Sequence, residues 1–139
     1  MAMKNYLQFF CGEYPFLICT DAIAEIVNNS IDDVMARTEL RNGVLFYSWN
    51  DQSIAVVNLN KRFGLDTSSS EHQIILDGSL KRSDSRIMVI VGHVVGIIDV
   101  ADETFQPVQP LAGEFSKLVD ATLILQDKNW LRIRSEYFY

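Results

Sequence analysis

Apolar residues recur at every second position along much of this chain, in short runs separated by Gly, Asn, Asp and Ser. That period is the signature of β-strands joined by tight turns. Tyr6, Gln8 and Phe10 alternate with Leu7, Phe9 and Cys11, Gly12-Glu13 turns the chain, and residues 14–19 return as the second strand of an opening hairpin. Pro15 lacks an amide hydrogen, which predicts a sheet-edge position for that second strand. Thr20 or Asp21 can cap a helix in which Ile23, Ile26 and Val27 recur at i, i+3, i+4, with Glu25 on the wetter side. Residues 31–42 are polar and predict a long loop with one helical turn. Residues 44–49 and 53–59 form a central hairpin about Asn50-Asp51, two residues that tolerate the left-handed conformation of such turns.

Residues 60–65 read as a helical turn closed by Gly64, 66–71 as a Ser-rich loop, 72–76 as a short strand and 77–85 as an exposed connection. A second apolar hairpin is expected over 87–91 and 94–98, turned at Gly92-His93, with Gly96 inside a strand marking close backbone packing or a bulge. Pro107 and Pro110 make 101–113 an extended loop, and 121–125 with 130–133 form a last hairpin around Asp127-Lys128-Asn129. Four hairpins and one amphipathic helix predict an all-β fold with one or two short helices, a barrel or sandwich. Strand–helix–strand alternation, which a doubly wound sheet needs, is absent.

Composition narrows the function classes. With 139 residues, the chain fits a single domain over 1–139, or two small subdomains sharing a core. Eighteen Asp+Glu against 12 Lys+Arg give a net charge of −6, which argues against a phosphate-tracking nucleic-acid binder and against docking on an anionic membrane. The longest apolar stretch, 87–98, is too short to span a bilayer as a helix, so no membrane insertion is expected. The start Met-Ala-Met-Lys-Asn has no export signal, so a cytoplasmic location is expected, with Cys11 and Cys19 as reduced thiols.

The search for catalytic chemistry yields little. His72 and His93 are the only histidines; they border a loop and a turn, and no His-x-x-x-His or Cys-x-x-Cys spacing supports a metal. No phosphate-cradling glycine motif occurs, and Ser68, Ser69 and Ser70 beside His72 lie on a loop that cannot hold a nucleophile rigid. Asp32-Asp33 and Asp102-Glu103 read as solvated or capping acids. No enzyme activity and no cofactor are expected. Aromatic residues are more telling. Phe46, Tyr47 and Trp49 share one strand, with Phe46 on one face and Tyr47 and Trp49 on the other, the pattern of a core strand or of a protein-binding patch.

The order of these elements resembles the CheW-like domain of bacterial chemotaxis coupling proteins. The matching stretches are YLQFFCGEYPFLICT with DAIAEIV, then GVLFYSWNDQSIAVVNLNKRFGL, then RIMVIVGHVVGIIDVADE, and a closing LVDATLILQDKNWLRI. The resemblance implies two intertwined five-stranded SH3-like β-barrels around a shared core. It implies a non-enzymatic adaptor that binds the regulatory domain of a chemotaxis-type histidine kinase and the cytoplasmic tip of chemoreceptors. Residue by residue, Ile23 falls at a receptor-facing apolar position, Glu25 and Ile26 match the family's "EI", Gly43 opens the central hairpin, and Gly96 matches the glycine of "VGLIVD". With Trp49 these form the expected partner-binding set. Asn50 stands where the family carries an arginine, so this chain departs from the family at the tip of that hairpin. The alternative is a divergent barrel serving as a regulatory or small-ligand-binding module.

Overall fold

The computed structural model describes residues 3–66, 70–77, 86–108 and 114–138. The sequence expectations for 67–69, 78–85, 109–113 and Tyr139 lie outside the described residues. Strand-period patterning is realised as β1 (Met3–Cys11), β2 (Tyr14–Cys19), β3 (Ile23–Val27), β4 (Thr38–Arg41), β5 (Val44–Trp49), β6 (Gln52–Asn58), β7 (His72–Leu76), β8 (Ile87–Val91), β9 (His93–Ala101), β10 (Val119–Leu125) and β11 (Lys128–Ile133). Among the described residues three short α-helices accompany them: α1 (Ile31–Ala36), α2 (Leu59–Arg62) and α3 (Glu114–Leu118).

The strands form two sheets. One has the order β10-β11-β2-β1-β9, and the other the order β3-β7-β8-β6-β5-β4. The chain divides accordingly into two units, Met1–Asp21 with Val94–Tyr139, and Ala22–His93, so the second unit is inserted into the chain of the first. The first unit packs Tyr6, Leu17, Val100, Leu123 and Trp130 into one cluster. The second packs Tyr47, Ile54, Ile75, Met88 and Ile90 against Ile31 and Val34 of α1. The six-stranded sheet exceeds the expected five strands because of β4, which lies in the stretch read from sequence as loop.

The turns follow the residues that tolerate positive φ. Gly12 (φ 58°) closes β1–β2, and Asn42 (51°) with Gly43 (80°) closes β4–β5. Asn50 (47°) and Asp51 (62°) close β5–β6, with Trp49 opposite Gln52. The last hairpin turns at Gln126 (52°) and Asp127 (64°), one residue earlier than expected. Gly64 (71°) ends the turn after α2, whose N-cap is Asn58.

Four expectations are corrected. Residues 23–27 are an edge strand, not a helix; only Thr20–Ala22 form a 3-10 turn. The helix-like spacing has a physical cause. Ile23 pairs with Leu76 and Glu25 with Ile75, so Ala24 is the extra residue of a bulge. The bulge puts Ile23 and Ile26, three apart, on one face of a strand. Second, β8 and β9 are not a hairpin. β8 lies between β7 and β6, while β9 flanks β1 in the other sheet. All five residues of β8 are buried and β9 alternates, the difference between a strand covered on both faces and one half exposed. Third, Pro15 does not put β2 at an edge. β2 is flanked by β1 and β11, but β11 pairs only with Phe16 and Leu17, so the missing Pro15 amide interrupts no bond in that ladder. Fourth, 31–42 is not mainly loop: the expected helical turn is α1, and β4 follows it. Ser30 caps α1 by accepting from the Asp33 amide at 3.2 Å, so Asp32 and Asp33 stand in its first turn.

Cys11 is buried opposite Tyr14, and Cys19 pairs with Tyr6 at the far end of β2; both are thiols. No helix among the described residues is long and apolar enough to cross a membrane.

Candidate functional site

Alternation along the inserted unit's strands brings Glu25, Trp49 and Arg86 to one face of the six-stranded sheet. On β5, Trp49 shares the face of buried Tyr47, and Tyr47 pairs with Ile54. On β3, Glu25 shares the face of its partner Ile75. Arg86 precedes β8 by one residue and shares the face of Met88 and Ile90. The Trp49 indole N–H donates to Glu25 Oε2 at 2.6 Å. The Arg86 guanidinium carbon lies 5.4 Å from the centre of a Trp49 ring, a cation–π distance.

This hydrogen bond also reports on curvature. In the order β3-β7-β8-β6-β5 the two strands are four inter-strand spacings apart. In a flat sheet that is about 19 Å, beyond the combined reach of a Trp and a Glu side chain. The sheet therefore curls until its β3 edge approaches β5, with Tyr47, Ile54, Ile75 and Met88 filling the concave side. The carboxylate is exposed, so its contact with Trp49 orients the ring more than it stabilises the fold.

The other expected site residues separate. Ile23 and Ile26 lie on the opposite face of β3 from Glu25; Ile23 is half-buried and Ile26 is 40% exposed. Gly43 sits in the β4–β5 turn at φ 80°, where a side chain would be strained although a Cβ would meet no atom within 4 Å. Its requirement is conformational. Asn50 caps the β5–β6 tip beside Trp49 and is exposed. Gly96 lies on β9, in the other unit. A Cβ there would meet nothing within 4 Å and the residue has no positive φ, so the close backbone packing expected at Gly96 is absent. Phe46, on the other face of β5, carries the Arg41 guanidinium at 5.0 Å.

Sequence reasoning missed Arg86. The available signal was register: Arg86, Met88 and Ile90 are spaced by two, so a cation occupies the same face as two core residues. It also missed a polar network in the first unit. Arg132 Nε donates to Asp120 Oδ1 at 2.7 Å, its Nη1 lies 3.5 Å from the Tyr6 hydroxyl, and its guanidinium stacks on Phe105 at 4.4 Å. Burial raises the Tyr6 pKa above 10.0 despite the adjacent Arg132. Burial opposes the charge of Arg132, but its hydrogen bonds to Asp120 and Tyr6 outweigh this and raise its pKa. Asp102 receives the Tyr6 hydroxyl at 3.5 Å and pairs with Lys4 at 3.6 Å, so this acid is structural.

Among the described residues no three His, Cys, Asp or Glu side chains come together as a metal cluster. The geometry is that of a surface: an aromatic ring fixed by a carboxylate and topped by a guanidinium, on a sheet with an exposed edge strand. Such a surface suits recognition of a protein segment.

No curated protein matches the sequence. The chain is similar in structure to the scaffolding protein TtCheW from Thermoanaerobacter tengcongensis, with a TM-score of 0.73 at 19% identity over 96% of this chain and 90% of that one. The sequence matches the family model of the CheW-like domain over residues 5–136. Nearly the whole chain is thus accounted for by one family pattern, and the protein belongs to the CheW-like domain family.

Proposed function

We propose that this protein is a non-enzymatic adaptor in bacterial chemosensory signalling, joining the regulatory domain of a chemotaxis-type histidine kinase to the cytoplasmic tip of a chemoreceptor or to a motility output. The observation that carries this reading is the CheW-like match over residues 5–136. The similarity to a protein described as a scaffold supports it, as does a candidate site that offers a binding surface. The surface we assign to partners comprises Glu25 and Trp49 on one face of the inserted unit, Ile23 and Ile26 on the opposite face of β3, and the Asn50 tip. Gly43 supports it by holding the β4–β5 turn. Gly96 enters this set only through its match to the family glycine. The acidic composition fits a cytoplasmic protein that meets other proteins and avoids nucleic acid and lipid surfaces.

The test is direct binding of the purified chain to kinase regulatory domains and receptor tips encoded beside it. Binding to at least one is expected, and binding to none overturns the coupling role. One observation favours a second reading, a ligand-responsive module. The first unit holds an open concavity of about 620 Å³ under Met3, Ile98, Val100, Leu123 and Leu125, almost wholly apolar. A metabolite that raises the melting temperature of the wild type but not of Val100→Trp would support that reading.

A further inference from the structure

We propose that Arg86, seated on Trp49, is a carboxylate-binding site that takes an acidic side chain of a partner segment. Three observations converge on it. The Trp49 ring is pinned by its 2.6 Å hydrogen bond to Glu25, so it offers the guanidinium a fixed platform. The guanidinium carbon lies over a Trp49 ring, 5.4 Å from its centre, within cation–π range. Arg86 makes no ion pair among the described residues, and its Nε–H is buried without a hydrogen-bond partner.

Two other arginines stacked on rings among the described residues differ on that last point. Arg41 over Phe46 is paired with Glu39 at 3.2 Å, and Arg132 over Phe105 is paired with Asp120 at 2.7 Å. Each meets an acid of this chain, the Arg41 pair at the exposed surface and the Arg132 pair partly buried. Arg86 is half-buried, has lost part of its hydration and pairs with no acid among the described residues. Such an unmatched donor calls for an explanation beyond packing. The Nε–H and the neighbouring Nη–H of a guanidinium match the two oxygens of a carboxylate. Binding requires the guanidinium to turn this buried edge outward. A carboxylate then satisfies the unpaired donor and neutralises the cation together. The seat borders the exposed Glu25 carboxylate, on the surface assigned above to partners, which favours an acidic peptide over a free organic acid.

This assignment rests on the adaptor reading only for what the partner is, because the site can be probed on the chain alone. The probe is a hexaglutamate peptide titrated into 15N-labelled protein, following the Trp49 indole N–H signal, assigned by its loss in Trp49→Phe. Hexaglutamine and glutarate serve as the neutral and small-molecule arms. Hexaglutamate is expected to shift the signal and hexaglutamine to leave it. Arg86→Gln should weaken binding at least tenfold with the remaining spectrum unchanged, and Arg86→Lys, which keeps the charge but not the two-pronged geometry, should bind between the two. The proposal is overturned if hexaglutamate gives no shift, or if Arg86→Gln binds it as well as the wild type. A response to glutarate with none to the peptide overturns the peptide assignment. Failure of any of these leaves kinase or receptor binding to be decided by its own assay.

Discussion

Trp49 packs its ring against the Tyr47–Ile54 cluster while its indole N–H reaches Glu25, so packing and orientation are separable at one residue. Trp49→Ala removes a half-buried ring and should destabilise the fold by about 2–3 kcal/mol, less than a fully buried tryptophan, read as a lower urea midpoint at unchanged slope. Glu25→Ala should cost well under 1 kcal/mol, since its hydrogen bond faces water, yet it should broaden the Trp49 indole signal by freeing the ring. Tyr6 supplies a pH signature. Its pKa in the folded state is raised above 10.0 by burial, so its contribution is complete below that value and is lost as pH climbs from 10.0 toward the folded-state pKa. Stability should therefore fall with rising pH in that window. Tyr6→Phe should flatten the fall in a series of urea melts.

Local pairing was legible at the scale of elements, and long-range pairing was not. The hairpin about Asn50-Asp51 follows from two residues that accept positive φ between alternating runs, and the structure places it there. The bulge at Ala24 was not visible, because one inserted residue turns a period of two into a spacing of three, which reads as a helix. A helical turn within 31–42 was expected, but its place was not, although Ser30 preceding Ile31 is an N-cap signal. Replacing Ser30 by Ala removes the acceptor for the Asp33 amide and should cost about 1 kcal/mol, seen as a lower melting temperature. At the closing hairpin, Gln126 adopts φ 52° without the local bonding an Asn offers. Gln126→Asn together with Asp127→Gly should raise stability by about 1 kcal/mol, with the register of β10 and β11 unchanged.

The molecule as a whole is two sheet units threaded by one chain, the second inserted between Asp21 and Val94 of the first. That order was accessible only through the resemblance, because strand period says nothing about which strand pairs with which. β8 and β9, neighbours in sequence, enter different sheets. The candidate site was half legible: Glu25 and Trp49 stood out and do touch, whereas Arg86 lies 37 positions beyond Trp49 and meets it only because the sheet curls. The central claim is that the inserted unit presents a protein-binding surface, and one measurement tests it most directly. Ile26 is 40% exposed on the edge strand β3, so Ile26→Asp should leave folding intact. Binding of this variant to the neighbouring kinase regulatory domain and receptor tip is measured by calorimetry, beside its melting temperature. The account predicts that wild type binds and that Ile26→Asp loses at least tenfold in affinity while melting within a few degrees of wild type. Equal affinity of the variant, or no binding by the wild type, would contradict it.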